Sequence, residues 1–419
     1  MEEKTTDTEE EEDLLPPEIW RLVCDYLLSE QLGRLARTSR DVRGAVRGSP
    51  AFRQLLRADE VWPEVHERSI LGVAVTKEGH IVTASEDHTL KILKACASSA
   101  EPPYAPRAQN RGAASCRTTH EGHGDRVRCV CALPDGRVVS GSRDKTLIVW
   151  ARDSSRLRSF GDRFFGLREQ VLEGHADYVW CVVALDNDRV ASGSKDATII
   201  VWDVNTGEEL QYLQGHGDSV RCLAVLPDGL LLSGSSDGLL KFWDVKYCTR
   251  EFRVLATCVR TLGGAILGYT APSSCRVTSV LVLPEGGDIV GGCEDGTLRL
   301  WPKPWDYNGF PTPYVNHRNV DHKSTIWAMV ALSHERFVAV DGDGLLKIWC
   351  VSPTLDAIRP SGLYQGALTC LQTVRGHKRA VFCIAALPDG RLVTGSMDRT
   401  LRVWAPVGYQ IGRARDPRT

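Results

Sequence analysis

One spacing rule constrains this chain more than any other feature. A His is followed 21 residues later by an Asp, and six residues after that by a Trp. The rule fits His123/Asp144/Trp150, His175/Asp196/Trp202, His216/Asp237/Trp243, His322/Asp343/Trp349 and His377/Asp398/Trp404. His66/Asp87 obey it with Leu93 in the Trp place, and Asp295/Trp301 obey it without a His. Matches at one register mark an internal repeat. The 419-residue length therefore does not mean two or three unrelated domains.

Between the landmarks, apolar residues alternate at the strand period of two. In the copy from Leu213 to Asp244, Val220, Cys222 and Ala224 share one strand face. Pro227-Asp228-Gly229 forms a turn, because Pro presets φ and Gly tolerates positive φ. Leu231 and Ser233 lie on a second strand, Ser236-Asp237-Gly238 turns again, and Leu240 to Trp243 make a third. The run before each Gly-His, here Glu209 to Leu213, supplies a fourth, outer strand. Four short antiparallel strands about every ~40–45 residues predict a propeller blade.

On these residues the chain resembles the WD repeat proteins. The resemblance implies a mainly β, seven-bladed propeller with blades near 61–95, 119–151, 171–203, 212–244, 274–302, 319–350 and 373–405 of a domain spanning 59–412. It also implies a hydrogen-bonded tetrad in each complete blade. The sets are His123, Ser140, Asp144, Trp150; His175, Ser192, Asp196, Trp202; His216, Ser233, Asp237, Trp243; and His377, Thr394, Asp398, Trp404. Gly291 and Ala339 stand where the tetrad takes Ser or Thr. A His–Asp pair alone resembles a catalytic dyad or a metal site. Repetition at one register makes these pairs structural, since a buried carboxylate must accept hydrogen bonds. No catalytic residue, metal or cofactor is expected.

Ahead of the repeats the period changes. Residues 1–13 hold eight acids and one Lys and read as a solvated acidic tail. From residue 14 to 58 the spacing is helical. Pro17 suits a first helical turn, and Ile19, Leu22, Val23, Tyr26 and Leu27 form an apolar stripe. Ser29 caps a second helix carrying Leu32, Leu35 and Ala36, and Phe52, Leu55 and Leu56 lie on a last short one. So few residues bury little core alone, which leaves apolar surface for a partner. The segment resembles an F-box through Leu15-Pro16-Pro17-Glu18-Ile19, Val23, Tyr26-Leu27, Leu32, Leu35-Ala36 and Ser39-Arg40, with Val42 where the family usually has an aromatic. The resemblance implies that Leu15, Pro16, Ile19, Leu22, Val23, Tyr26, Leu27, Leu32 and Leu35 contact the small adaptor of a cullin–RING ubiquitin ligase. The expected whole is a small all-α F-box segment before the propeller, with a basic tail at 413–419.

Composition narrows the setting. The net charge of −2 does not favour bulk nucleic-acid binding. The 14 Cys show no CxxC, and Cys129, Cys181, Cys222 and Cys383 each fall six residues after a landmark His, as small core residues of a cytoplasmic or nuclear protein. No apolar run is long enough to span a membrane.

In a propeller, the residues flanking the Val after each Gly-His, and the residue before each tetrad Asp, face one mouth. Blades 2 to 4 then offer Arg126, Arg128, Arg143, Tyr178, Trp180, Lys195 and Arg221, with Ser219 and Ser236. Blade 5 adds Arg276, Thr278 and Glu294, and blade 6 adds Thr325 and Trp327. Ala380, Phe382 and Met397 come from blade 7, and Ser69, Leu71 and Glu86 from blade 1. The arginines, read as lacking acidic neighbours at matched positions, suit capture of a phosphate or carboxylate, with Trp180, Trp327 and Phe382 as anchors. Arg128, Arg143 and Arg221 match the phosphodegron-reading arginines of F-box/WD receptors, except that Arg221 lies two blades from Arg128. Pairing with Asp125, Asp177 or Asp218 is the competing use of these cations. The expected function is a non-catalytic substrate receptor that binds adaptor and cullin through the F-box and a protein or phosphopeptide through the propeller. The alternative is a WD-repeat scaffold outside any ligase, or a ubiquitin-binding propeller.

Overall fold

A computed structural model describes residues 56–94, 116–151, 158–160, 163–165, 168–245, 258–262, 265–266, 269–270, 275–284, 287–301, 322–333, 335–352 and 367–406. Residues 14–55, with the helical stripe and the residues assigned to adaptor binding, lie outside them, as do the acidic and basic tails. The chain divides into two units, and the unit 58–405 carries the repeats.

That unit is a seven-bladed propeller. The innermost strands are Ile70–Val75, Val127–Ala132, Val179–Ala184, Val220–Val225, Val277–Val282, Ile326–Ala331 and Val381–Ala386, one for each of blades 1 to 7. Each lies against the next, and the seventh lies against the first, so the ring is closed. Every blade runs outward from its inner strand through antiparallel neighbours. Blade 4, for example, orders Val220–Val225, Leu231–Ser235, Leu240–Trp243 and Cys258–Leu262. Among the described residues blade 5 shows three strands, ending at Leu298–Trp301.

The sequence repeat and the blade are offset by one strand. Glu209–Leu213, which precedes Gly215-His216, pairs with Ile199–Asp203 of blade 3 and not with blade 4. The same offset gives other blades outer strands that lie wholly or partly between the expected blade bounds: Cys116–Glu121 in blade 1, Cys258–Leu262 in blade 4 and Ala367–Arg375 in blade 6. It also settles ring closure. Leu56–Trp62 pairs with Leu401–Pro406 and completes blade 7, so the closing strand comes from the N-terminal side. Leu56 is thus the start of a strand, not part of a last helix. A short hairpin, Arg158–Phe160 with Arg163–Phe165, extends blade 1 through a parallel step at Phe165↔Thr119.

Neighbouring blades approach through a glycine on the second strand. A Cβ on Gly193 would lie 2.6 Å from the Val220 side chain of the next blade and 2.7 Å from Cys181 Sγ. Gly141, Gly234, Gly292 and Gly395 meet Val179, Val277, Ile326 and Ile70 in the same way. The four repeat cysteines fill the matching space. Each of Cys129, Cys181, Cys222 and Cys383 directs its thiol at the carbonyl of that glycine. Burial pushes the thiols of Cys222 and Cys383 up to about 12, so they act as small apolar fillers. No helix among the described residues is long and apolar enough to cross a membrane.

Candidate functional site

The interior polar groups hold the blades, and the mouth is what they present. In blade 4, His216 Nδ1 lies 2.8 Å from Asp237 Oδ2, and its Nε2 lies 2.7 Å from Ser233 Oγ. Trp243 Nε1 donates to the same hydroxyl at 2.8 Å. Blades 2 and 3 repeat the path through Ser140 and Ser192, and blade 7 runs it through Thr394. Burial alone would raise the Asp237 carboxyl. Hydrogen bonds from His216 and from the amides of Gly217 and Leu239 outweigh it and hold the group below the usual range. Asp144, Asp196 and Asp398 are held lower still, with a Thr hydroxyl added to each set.

The other blades depart from this path. Blade 1 keeps His66, Thr83 and Asp87, and Leu93 fills the Trp place with 1% of its surface exposed. In blade 6 the spacing rule selects Asp343, and the structure does not. Asp343 is exposed, and His322 Nδ1 instead meets Asp341 Oδ2 at 2.8 Å, with both side chains fully buried. Asp341 occupies the strand-end position held by Ser85, Ser142, Ser194, Ser235 and Ser396 in other blades. Ala339 offers no hydroxyl, so Trp349 Nε1 donates directly to His322 Nε2 at 3.3 Å. In blade 5, Gly291 leaves room for the indole of Trp301, which lies 2.6 Å from where a Cβ would stand.

The second residue of each inner strand points into the ring. Leu71, Arg128, Trp180, Arg221, Thr278, Trp327 and Phe382, one per blade, line a cavity of about 90 Å³. The arginines of blades 2 and 4 meet on the tryptophan of blade 3. Arg128 Cζ lies 4.4 Å from the centroid of Trp180 and Arg221 Cζ lies 4.1 Å from it. Two guanidinium groups thus stack on one indole, each contact worth about 0.5–2 kcal/mol. Burial lowers the pKa of both arginines, and each also feels other cations nearby. Arg221 Nε donates to Ser236 Oγ, whereas Arg128 Nε and Trp180 Nε1 are buried without a hydrogen-bond partner among the described residues. Trp327 and Phe382 pack edge to face at 5.2 Å across the ring from them.

The cations nearer the rim are paired, contrary to the reading that they lack acidic neighbours. Arg126 Nη1 bonds Glu86 Oε1 at 2.8 Å, across the joint between blades 2 and 1. Arg143 donates to Tyr178 Oη at 2.8 Å and lies 3.7 Å from Asp125, while Lys195 lies 3.2 Å from Asp177. Tyr178 sits between Arg143 and Lys195, each 4.6 Å from its ring. Arg276 and Glu294 pair at 3.4 Å. The arginines therefore sort into two layers, a rim of ion pairs and a deeper Arg128–Trp180–Arg221 stack.

The WD domain, G-beta repeat family matches residues 114–151, 166–203, 207–244, 256–302 and 368–405. This is a WD-repeat propeller. The matched repeats cover blades 2, 3, 4, 5 and 7, and the unmatched blades 1 and 6 are those with Leu93 and Ala339. Among curated relatives, the ribosome biogenesis protein WDR12 homolog of Drosophila virilis is 28% identical over 33% of this chain and 33% of its own length. The guanine nucleotide-binding protein subunit beta of Zea mays is 25% identical over 70% of this chain and 74% of its own. The small ribosomal subunit protein RACK1 of Schizosaccharomyces pombe is 35% identical over 22% and 28%. The chain thus spans about a third or less of the WDR12 homologues it matches.

Proposed function

We propose that the WD-repeat ring is a non-catalytic protein-interaction platform whose mouth receives an anionic segment of a partner protein. The observation that carries this reading is the stack of Arg128 and Arg221 on Trp180, with the Nε of Arg128 and the indole N–H unpartnered among the described residues. Burying such donors is costly unless an acceptor arrives, and a carboxylate or phosphate satisfies them best. The relatives support a platform over any one chemistry, since their names span ribosome biogenesis, a small ribosomal subunit and a guanine nucleotide-binding protein. A protein partner in the cytoplasm or nucleus fits the near-neutral charge better than nucleic acid or a membrane.

Within that reading the arginine to change is Arg128. Each charged hydrogen bond contributes about 1.5–3 kcal/mol in a partly dry site. Arg128→Glu should weaken partner binding tenfold to a hundredfold or more, and salt should weaken it further. Arg143→Glu should matter less, because Arg143 is already bonded to Tyr178. Binding measured before and after phosphatase treatment distinguishes a phosphorylated segment from a carboxylate one. Equal binding by wild type and Arg128→Glu would leave Trp327 and Phe382 as the better contact.

A finer reading makes the platform the substrate receptor of a cullin–RING ubiquitin ligase. It is supported by the F-box-like run Leu15-Pro16-Pro17-Glu18-Ile19 with the stripe through Leu35, directly ahead of the ring. In that role the chain holds its target near the ubiquitin-charged enzyme and raises the effective concentration of the reacting groups. Leu15→Ala with Ile19→Ala should abolish co-purification of adaptor and cullin and leave the melting of the ring unchanged. A lower melting temperature with no adaptor bound by either form would assign the helical segment to internal packing and leave a scaffold outside any ligase.

A further inference from the structure

Blade 5 departs from the repeat at its inner-strand lead-in and at its strand-end position, and both departures are cysteines. Residues 273–276 read Ser-Ser-Cys-Arg, with no His. Cys275 Sγ lies 3.2 Å from Asp295 Oδ1 and 3.5 Å from Thr297 Oγ1. These are the side chains, an Asp and a Thr, that the His ring nitrogen meets in blades 1, 2, 3 and 7. Cys293 pairs across from Val277, which puts it at the strand-end position occupied by Ser in five blades and by Asp341 in blade 6. The two sulfurs and a carboxylate oxygen of Asp295 all lie within 4.8 Å of one another.

This group differs from the other core thiols of the ring. Cys129, Cys181, Cys222 and Cys383 direct their sulfur at a strand carbonyl in apolar surroundings. Here a sulfur meets a carboxylate, and a second sulfur stands beside it. Cys275 and Cys293 are 5% and 0% exposed, while Asp295 is exposed, so the group is closed by protein on one side and open to solvent on the other. In a tetrahedral zinc site with Zn–S near 2.3 Å, neighbouring ligand atoms sit roughly 3.5–3.8 Å apart. The observed separations, all within 4.8 Å, reach that spacing with shifts of no more than about 1 Å.

We propose that Cys275, Cys293 and Asp295 form a three-ligand site for a thiophilic divalent cation, Zn²⁺, which ties the lead-in of the blade 5 inner strand to the turn between Ile289–Cys293 and Leu298–Trp301. Two thiolates, a carboxylate and an open fourth position form a donor set that zinc accepts and that Mg²⁺ or Ca²⁺ does not. Binding replaces two S–H bonds with two S–Zn bonds and releases two protons to solvent; the carboxylate is already ionised, and water takes the solvent-facing position. Arg299 offsets the surplus negative charge of the loaded site. The cation takes over the link that His and Asp make in the complete blades. Affinity should fall by about tenfold to a hundredfold per pH unit on acidification, since up to two protons compete with the metal.

The test uses the full chain, reduced and stripped with a chelator, then titrated with Co²⁺ alone. One equivalent should produce a thiolate-to-cobalt charge-transfer band that Zn²⁺ bleaches, and Cys275→Ser with Cys293→Ser should lose it. Zinc X-ray absorption on the wild-type chain needs no variant, and should show two sulfur neighbours at about 2.3 Å with oxygen completing the shell. No band at one equivalent, a band of full size in the folded double variant, or fewer than two sulfurs around zinc would each overturn the assignment.

Discussion

In blade 4 the polar path runs from Asp237 through His216 and Ser233 to Trp243; in blade 6 it runs from Asp341 through His322 straight to Trp349. Both blades keep the His and the Trp. The carboxylate has moved two residues upstream and the hydroxyl has gone. The exchange works because both positions border the same turn. Asp237 accepts the amides of Gly217 and Leu239, while Asp341 accepts those of Asp343 and Leu345. The turn itself is unchanged, with Gly238 and Gly344 at φ 81° and 80°. What the fold needs at this place is a carboxylate that reaches the ring nitrogen, not an Asp at a fixed count from the His. The exchange also deepens the charge, since Asp341 is fully buried and Asp237 is only half-buried.

The sharpest way to break this comparison is within blade 6. Asp341→Ala removes one member of a buried pair and strands His322 and two amides, so it should cost about 3–5 kcal/mol. Asp343→Ala, at an exposed position, should change stability by no more than about 0.5 kcal/mol. Urea melts of the two variants decide it, and the reverse order would return the carboxylate role to Asp343.

A smaller effect, of a sign that repeat consensus would not suggest, comes from blade 5. Gly291→Ser restores the residue type of the complete blades. The added Cβ would nonetheless stand 2.6 Å from Trp301 Cζ3, so the indole must move. Overpacking of this kind costs about 1–3 kcal/mol. A thermal melt showing equal or higher stability would mean that the Trp301 site relaxes to the geometry of blade 4.

The most graded effect is on acidification. Burial opposes the charging of His66 and His377 and lowers their pKa despite the Asp beside each. Unfolded His takes up a proton below about 6.5, so stability should begin to fall there, by up to about 1.4 kcal/mol per pH unit for each His. The tetrad carboxylates act lower. Asp87, Asp144, Asp196, Asp237 and Asp398 are all depressed, so their stabilisation is present above the unfolded value near ~4 and is lost as pH falls through the folded values. Melting temperatures from about pH 8 to about pH 2 should therefore decline in two stages, the first below about 6.5 and the second below about 4. A flat profile down to about pH 5 would remove the His contribution.

Much of the ring was legible because a propeller repeats its register. The position rule that selects Leu71, Arg128, Trp180, Arg221, Thr278, Trp327 and Phe382 counts from each inner strand, and those seven side chains line one cavity. Counting fails where depth or neighbours decide. Asp341 and Asp343 differ in burial, which spacing does not encode. Arg126 and Glu86 meet although 40 residues apart, because blade 2 abuts blade 1. Cys275 and Cys293 are joined by strand pairing, not by a sequence motif. The spacing rule also hid the one-strand offset, since it marks where a repeat begins and not which sheet its first strand enters. The helical segment at 14–55 belongs to the sequence reading alone.

The closing strand carries a consequence for synthesis. Leu56–Trp62 finds its partner in Leu401–Pro406, some 340 residues later in the chain. At translation speeds of roughly 5–20 residues per second, that partner emerges about 20–70 s after the first strand. Throughout this interval blade 1 can form from its own residues, while the Leu56–Trp62 edge stays unpaired and open to other nascent chains. An exposed strand edge of this length invites mispairing. Here the charges of Arg57, Asp59 and Glu60 punctuate it, and Pro63 follows at once. The emergence of Leu401–Pro406 thus decides when Leu56–Trp62 stops being a hazard.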